Sequence, residues 1–396
     1  MQSARKRKKI VRTRPVCVGS GFVALDLILI GNDRRSPNFS FAGGSCGNVL
    51  TVLAYLGWDA IPVIRLRNDE EAVRLVTDLE KWSVNTRFIF KEPAGITPVV
   101  VQRICTAING DLYHRFEWKC PTTGIALPRY RPLPQRVALE VSTKLPRPSI
   151  FYFDRVTKSA LLLAKQAKGH GAMIFFEPSA IGDVSLFDEC VKTADIIKYS
   201  CDRIKDSPCK SLRSNTGSRL EIQTLGIAGL RYAFKRNDGN RKVWKKLPAF
   251  KLDSLKDAAG AGDWCSAGII NSIGKKGIEG FNRLSESQVV DAMRIGQAMA
   301  AINCGFEGAR GAMYQFEKSV FEKLIANMAL EGVNIGETKA SGKNIVRGRC
   351  VRRQGARGNG ERAALTLQNG SRQEGHSSQT RPLNGIAPRP RACHAL

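Results

Sequence analysis

Hydrophobic and polar residues follow two different periods along the middle of the chain. Short β-branched or aromatic runs predict six strands, at 15–20, 60–66, 150–154, 172–177, 196–199 and 221–225. Apolar residues spaced three and four apart predict six helices, at 46–56, 70–82, 159–168, 264–274, 287–304 and 315–328. This alternation predicts an α/β fold, with a mostly parallel central sheet flanked by helices on both faces. Ligands of such folds bind at the carboxyl ends of the strands.

One region departs from this alternation. Residues 97–120 alternate apolar and polar positions on both sides of Asn109, Gly110 and Asp111, which predicts an antiparallel hairpin. A hairpin inserted in an α/β domain has an edge that needs covering, and closing over a substrate is one way to cover it. We therefore expect a small β lid with segments near 31–41 and 95–120. The alternative is an edge hairpin without a role in binding.

The net charge of +27 is typical of proteins that bind nucleic acid or other anions, but the two ends supply much of it. Residues 1–14 contain seven basic residues and no acid, and eleven basic residues follow position 341 against two acids. Neither end has a helix or strand period, so both are predicted to be disordered tails, at 1–14 and 339–396, around one domain at 15–338. The tails are either solvated without a specific role or make weak, non-specific contact with nucleic acid or an anionic surface.

Cysteine and histidine usage excludes several classes of site. The eleven cysteines are scattered without a CxxC pair, and the chain has four histidines, so a zinc site or a histidine-based triad is poorly supported. Reduced cysteines and the lack of a secretory leader predict a cytoplasmic protein. The apolar runs are too short to cross a bilayer, so no membrane partner is expected.

The stretch KLDSLKDAAGAGDWCSAGII, residues 251–270, carries the main chemical signal. Consecutive small residues from Ala258 to Gly262 let backbone N–H groups converge on one point, and a helix starts directly afterwards. The amino end of a helix adds roughly half a positive charge there, so the segment predicts a phosphate cradle. Asp263 is placed to accept a proton from an attacking hydroxyl. The alternative is a tight turn in which Asp263 only caps the helix.

Together with other motifs this stretch resembles the ribokinase-like (pfkB-type) carbohydrate kinases over about residues 15–330. Asp257, Gly260, Gly262 and Asp263 resemble the family's carboxyl-terminal signature. FAGGSCGNVLTVLAYLG resembles its amino-terminal signature, TLGIAG its nucleotide-side strand and turn, and AMAAINCGFEGARGA the helix and loop that border the adenine. The resemblance implies ATP-dependent phosphorylation of a hydroxyl on a sugar or sugar-like molecule, with ATP and Mg²⁺. It also makes a homodimer an expectation, because relatives often pair through their lids.

The resemblance also implies a role for each matching residue. Asp263 is the expected catalytic base, with Gly260, Ala261 and Gly262 as the anion hole. The expected sugar contacts are Asp26, Gly43, Gly44 and Asn48. The expected nucleotide contacts are Lys198, Thr224, Gly226, Gly229, Ala259, Asn303 and Gly305, and Glu177 is the expected metal residue. Carboxylates can accept hydrogen bonds from adjacent hydroxyls, which fits Asp26.

Some positions depart from the family pattern. Ala258 replaces a hydroxyl residue of the anion-hole loop, and Ser200 and Arg203 stand in place of the Asn and Glu of the magnesium motif. Arg203 could contact phosphate directly, or Asp202 could take over by a one-residue shift. A third alternative is a catalytically impaired protein with a binding or regulatory role, associated with nucleic acid through its basic tails.

Four further side chains have open alternatives. Lys198 either contacts phosphate or ends a strand in solvent. Asp154 and Arg155 either form a structural pair or contact substrate. Trp264 packs in the core or walls the site.

Overall fold

The computed structural model of the 396-residue chain describes residues 13–33, 35, 37, 39–106, 112–204, 218–235, 243–252 and 254–331. Nearly all of the two predicted tails, and the predicted turn at Asn109, Gly110 and Asp111, lie outside these residues. None of the described helices is long and apolar enough to span a membrane.

The described residues form fourteen strands in three sheets. In chain order these are β1 (Val16–Ser20), β2 (Ala24–Ile30), β3 (Phe39–Gly43), β4 (Asp59–Pro62), β5 (Ile64–Arg67), β6 (Ile89–Glu92), β7 (Val99–Thr106), β8 (Leu112–Glu117), β9 (Ile150–Phe153), β10 (Met173–Phe176), β11 (Ile196–Ser200), β12 (Leu220–Thr224), β13 (Leu230–Phe234) and β14 (Trp244–Leu247).

The main sheet has eight strands in the order β14-β13-β12-β11-β10-β9-β1-β4. The six strands from β12 to β4 run parallel, and β13 and β14 add an antiparallel edge. The mostly parallel sheet predicted from the sequence is therefore confirmed. The predicted strand at 60–66 is wrong as a single element, because β4 belongs to the main sheet and β5 pairs with β6.

The strands of the predicted lid belong to a separate four-stranded sheet, here named the lid sheet, in the order β3-β2-β7-β8. Strands β7 and β8 pair antiparallel, with Val101 opposite Glu117, which confirms the predicted hairpin. Strand β2 pairs with both β3 and β7, and Asp26 stands opposite Phe41 and Val100. This pairing brings the acid that follows the first strand of the chain into the lid sheet.

Ten helices occur among the described residues. They are α1 (Ser45–Tyr55), α2 (Glu70–Lys81), α3 (Gln135–Ser142), α4 (Lys158–Gly169), α5 (Val184–Thr193), α6 (Ala261–Ile273), α7 (Gly277–Asn282), α8 (Glu286–Cys304), α9 (Gly311–Gln315) and α10 (Lys318–Glu331). All six predicted helices are confirmed. Helix α6 begins three residues before its predicted start, so Asp263 lies in its first turn rather than in the loop.

The apolar core lies on both faces of the main sheet. Tyr152 and Phe175 pack on one face with residues of α1, α6 and α8, and Phe151 and Phe176 pack on the other with residues of α3, α4 and α5. Every residue of β9 is fully buried, as expected for a parallel strand covered on both sides. Burial of both faces leaves the carboxyl ends of the strands as the place where polar side chains can meet.

Candidate active site

The loop before α6 is shaped by a glycine in a left-handed conformation. Gly260 caps α6 with a φ of 73°, and a Cβ atom added there would lie 2.2 Å from the carbonyl oxygen of Ala309. Both the backbone angle and the close approach require glycine. The helix that follows has 13 residues, so its amino end carries the partial positive charge of an extended helix.

Three backbone N–H groups at this helix start have no acceptor among the described residues. They belong to Gly260, Gly262 and Asp263. Two other predicted donors are occupied: the N–H of Ala259 donates to Asp257 Oδ1 at 2.7 Å, and that of Ala261 donates to the carbonyl of Ala258 at 3.2 Å. The anion cradle is therefore shifted toward the helix, and Ala259 and Ala261 are not among its free donors.

Two buried polar side chains hold the loop in place. Asp257 accepts from the N–H of Ala259 with Oδ1 and from that of Gly308 with Oδ2, each at 2.7 Å. Asn303 donates to the carbonyls of Ala259 and Ala309 and accepts from the N–H of Ala312. Asn303 is fully buried, and these three bonds involve both polar atoms of its side chain. Its contact with adenine stays a prediction. Asn303 joins the cradle to the loop after α8.

Asp263 lies beside the cradle and is bonded to a residue of α1. Its Oδ2 accepts a hydrogen bond from Asn48 Nδ2 at 2.8 Å. Burial and, to a smaller extent, the nearby charge of Glu177 together raise the pKa of Asp263 to about 7, against the opposing effects of Asn48, Arg203 and Lys198. A carboxylate of this pKa is basic enough to take a proton from a hydroxyl near neutral pH.

Behind the cradle lies a buried ion pair. Lys198 Nζ donates to Glu177 Oε1 at 2.5 Å and to the carbonyl of Gly262 at 3.0 Å. The remaining oxygen of Glu177 accepts from the hydroxyls of Tyr152 and Ser266. Lys198 is 1% exposed, so it does not end a strand in solvent. Its contact with phosphate stays a prediction. Lys198 positions the cradle through Gly262.

The expected magnesium residue does not fit a metal ligand. Both oxygens of Glu177 are occupied by protein donors. No group of three or more His, Cys, Asp or Glu side chains in the described part of the chain could hold a metal ion. Ser200 and Arg203 add no carboxylate at the end of β11.

Asp26 and Asn48, two of the four predicted sugar residues, line a cavity, whereas Gly43 and Gly44 are not among its lining residues. The cavity has a volume of about 60 Å³, and the lid sheet, α1 and the loop at 307–311 form its walls. Asp26 lines this cavity, and burial raises its pKa to about 7 while the charge of Arg310 lowers it. A Cβ atom on Gly43 would lie 1.9 Å from Asp26 Oδ2, so glycine leaves room for that carboxylate.

Asn48 connects the cavity to Asp263. It is 4% exposed, and its Oδ1 has no hydrogen-bond partner among the described residues. An unsatisfied buried acceptor favours a ligand that donates a hydrogen bond, such as a hydroxyl. Gly44 starts α1 with a φ of 79°, and a Cβ there would lie 2.5 Å from the carbonyl of Phe22. Gly44 therefore shapes the backbone of the site.

Arg310 is the cavity residue that sequence reasoning missed. It is 3% exposed, and its Nη2 donates to Asp78 Oδ2 at 2.6 Å and to the carbonyl of Ala42 at 2.5 Å. Asp78 lies on α2, 232 positions away. No local signal connects the two residues, although the basic residue within the glycine-rich segment GARG is visible in the sequence.

The predicted nucleotide side lies at the antiparallel edge of the main sheet. Thr224 ends β12, and Gly226 and Gly229 form the tight turn to β13 with φ values of 59° and 90°. A Cβ on Gly229 would lie 2.2 Å from the carbonyl of Leu247, so this glycine lets the turn pack on β14. Gly305 caps the carboxyl end of α8.

Two open alternatives are settled by contacts. Asp154 accepts from the N–H of Phe22 at 2.8 Å and from Arg155 at 3.1 Å, which makes the pair structural. Trp264 is fully buried and donates to the carbonyl of Ala309. It packs in the core under the cradle rather than forming a wall of the cavity.

Comparison with known proteins identifies the fold. No family model and no curated protein sequence matches the chain. Solved structures match: a fructokinase with bound ATP from Xylella fastidiosa has a TM-score of 0.61 at 16% identity, over 79% of this chain and 99% of that chain. Ribokinase of Arabidopsis thaliana, complexed with ribose and ATP, has a TM-score of 0.58 at 16% identity, over 79% and 99%.

A nucleoside kinase from Burkholderia thailandensis in complex with inosine has a TM-score of 0.56 at 14% identity, over 80% of this chain and 98% of that chain. The similarity extends over nearly the whole length of each solved structure. The chain therefore has the ribokinase-like fold of sugar and nucleoside kinases, as its motifs predicted.

Proposed function

We propose that this protein transfers the γ-phosphoryl group of ATP to a hydroxyl of a sugar or sugar-like molecule. The observation that carries the proposal is the arrangement around Asp263. A carboxylate of raised pKa lies next to free N–H groups at a helix start and is bonded to Asn48, whose other side-chain atom is an unsatisfied acceptor at the cavity. The similarity to ATP-bound sugar kinases supports the nucleotide as the donor.

Each part of the arrangement has a chemical role in this proposal. Asn48 Oδ1 and Asp26 accept hydrogen bonds from acceptor hydroxyls and orient the molecule. Asp263 takes the proton of the attacking hydroxyl as the bond between that oxygen and the γ-phosphorus forms, while the bond to the β,γ-bridging oxygen breaks and ADP leaves. The N–H groups of Gly260, Gly262 and Asp263 stabilise the charge on the transferred group, with the helix dipole acting in the same direction. Lys198 holds Gly262 in position.

One feature of the described residues fits a bound nucleotide. The cradle offers unsatisfied N–H donors for an anion, which is what a terminal phosphate needs. Thr224, Gly226 and Gly229 would border the rest of ATP at the end of β12. Magnesium commonly accompanies ATP in phosphoryl transfer. The side chains present offer no carboxylate set for it, so no step here is assigned to the metal.

A second candidate function is binding without phosphoryl transfer. The observation that favours it is the saturation of Glu177 by three protein donors, together with Arg203 at the position where a carboxylate is expected. Such a protein would bind the sugar and ATP but would not turn them over.

Product analysis tests the proposed function and separates the two candidates. The purified full chain is incubated with magnesium and ATP and with pentoses, hexoses, polyols and nucleosides, and both ADP and the phosphorylated product are measured. The proposal expects that one class gives stoichiometric ADP and phosphoester. ATP and sugar that bind without product would establish the second candidate and contradict the proposed reaction.

A further inference from the structure

Arg310 has one nitrogen in use and one without a partner. Nη2 donates to Ala42 and Asp78, whereas Nη1 is buried and has no acceptor in the described part of the chain. A buried donor without an acceptor is costly, and such groups in folded proteins usually meet a partner from the protein, water or a ligand. Because Arg310 lines the same cavity as Asp26 and Asn48, a bound molecule can supply that partner.

The charges around the cavity do not favour an anion. Three charged side chains line it among the described residues, namely Asp26, Glu307 and Arg310. The positive charge of Arg310 is compensated by Asp78 at 2.6 Å, in a pair whose side chains are 2% and 12% exposed. No cation of the described residues forms an ion pair with Asp26. Whenever Asp26 is ionised, the lining therefore has an excess of negative charge.

We propose that Arg310 selects the phosphate acceptor: its Nη1 donates to an oxygen of a neutral polyhydroxy compound, and its pairing with Asp78 disfavours acceptors that carry a carboxylate or a phosphate. This inference rests on the proposed function, since it concerns the acceptor of that reaction. It limits the acceptor to uncharged compounds, whereas the sequence motifs leave the charge of the acceptor open.

Geometry gives a second reason for the neutral class. Arginine binds carboxylates and phosphates most effectively when two of its nitrogens donate in parallel. Here Nη2 already donates twice to the protein, which leaves Nη1. A hydroxyl, ring or carbonyl oxygen satisfies Nη1 without bringing a further negative charge near the half-buried Asp26, where charges interact more strongly than in water.

The polar pattern of the cavity matches a polyol. Nη1 of Arg310 is a donor, and Oδ1 of Asn48 is an unsatisfied acceptor. The half-buried carboxylate of Asp26 is a second acceptor on the lid side. Phe41 and Tyr314, whose ring centroids are 5.2 Å apart, add apolar surface against which carbon atoms can pack. A molecule with several hydroxyls can satisfy all three polar groups at once.

Binding measured without nucleotide tests the inference separately from catalysis. Isothermal titration calorimetry on the full chain compares fructose with fructose 6-phosphate, ribose with ribose 5-phosphate, and glucose with gluconate. At least one neutral compound should bind, and its charged counterpart should bind about tenfold more weakly or worse. Tighter binding of a charged compound, or no measurable binding of any neutral compound, would overturn the inference.

Two variants test the assigned residues. Asp78→Asn keeps the size of the side chain but removes the charge that compensates Arg310, so the ratio of neutral to anionic affinity should fall about tenfold. Arg310→Met removes the hydrogen-bond donor and should weaken binding of the neutral compound about tenfold or more, as expected for the loss of a hydrogen bond to a charged group. The matched surface controls, Asp291→Asn and Arg283→Met, should leave both affinities unchanged.

Thermal melting of each variant separates selection from folding. If Arg310→Met does not fold, the ratio of neutral to anionic affinity in Asp78→Asn still tests the inference. An unchanged ratio in a folded Asp78→Asn protein would overturn it. The two proposals also fail differently. Phosphorylation of an anionic acceptor would keep the proposed kinase and remove Arg310 from acceptor selection. Binding of a neutral compound without its phosphorylation would contradict the proposed kinase reaction and keep Arg310 as the residue that selects the bound molecule.

Discussion

Asn48 donates a hydrogen bond from its side-chain nitrogen to Asp263 at 2.8 Å, although the two residues are 215 positions apart. The bond joins the start of α1 to the first turn of α6. It places the expected base next to the cavity that the expected acceptor would occupy. The two family signatures thus meet through one side-chain contact.

Replacing Asn48 tests this contact. In Asn48→Ala the hydrogen bond that favours ionised Asp263 is lost, so kcat/KM should fall about tenfold or more, and its rise with pH should move to higher pH. The control is Asn85→Ala, which removes an Asn–Asp bond of 3.0 Å outside the site. A fall in activity with an unchanged pH profile would mean that Asn48 has only a structural role.

The pH dependence of the wild-type protein follows from the raised pKa of Asp263. Burial and the charge of Glu177 raise this pKa to about 7, and a general base acts in its ionised form. We therefore expect kcat/KM to rise with pH, to reach half its maximum near pH 7 and to level off above. Steady-state rates between pH 5.5 and 8.5 check this, and a flat profile would contradict it.

The same shift predicts an effect on stability. The pKa of Asp263 is higher in the folded than in the unfolded protein, so ionisation costs stability progressively as the pH rises from the unfolded value of 3.8 toward about 7. Asp263→Asn should therefore raise the melting temperature more at pH 8 than at pH 5. Scanning calorimetry at the two pH values measures this, and an equal or reversed effect would argue against the raised pKa.

The buried pair of Lys198 and Glu177 should matter more than a surface pair. Lys198→Met leaves the Glu177 carboxylate buried without its cation, which should cost about 3–5 kcal/mol in the free energy of unfolding. Lys165→Met breaks a pair whose side chains are 55% and 50% exposed, and should cost about 1 kcal/mol or less. Urea denaturation gives both values. Similar losses in the free energy of unfolding would show that the buried pair stabilises the fold no more than the surface pair does.

Gly260 should be intolerant of any side chain. Gly260→Ala places a Cβ within 2.2 Å of the Ala309 carbonyl at a φ of 73°, so both strain and overlap oppose it. Gly308→Ala is a matched control, because its φ is 84° and no atom lies within 4 Å of the added Cβ. Gly308→Ala should lower the free energy of unfolding by about 1–2 kcal/mol, because alanine is strained in a left-handed backbone conformation. Gly260→Ala should lower it by clearly more. Equal losses would mean that the loop moves away from Ala309.

Sequence periodicity predicted elements whose residues are either all apolar or clearly amphipathic. Strands β9 and β10 are wholly apolar, and α2 has a clear amphipathic spacing. Two of the missed elements lack such a pattern: α3 has only eight residues, and β14 is WKKL with three exposed residues. Propensity is a weak guide in such segments, since tertiary pairing decides their structure.

The site was predictable where a motif concentrates the chemistry in a few adjacent residues. Asp263, Asn48 and Asp26 were proposed as site residues in this way. Asp26 and Asn48 line one cavity, and Asn48 is hydrogen-bonded to Asp263. The ion pairs of Arg310 with Asp78 and of Lys198 with Glu177 were not predicted, because each joins distant elements that only the folded chain brings together. The motif position of Asn303 does not reveal that this residue is buried and joins the loop before α6 to the loop after α8.

The measurement that tests the central claim most directly is ADP formation by wild-type, Asp263→Asn and Asp291→Asn proteins with the best acceptor at saturating ATP. Asp291 is an exposed aspartate on α8, so its replacement makes the same chemical change away from the site. If Asp263 is the base, Asp263→Asn should lose at least about a hundredfold in kcat, while Asp291→Asn keeps the wild-type rate. Equal rates in all three proteins would contradict the account.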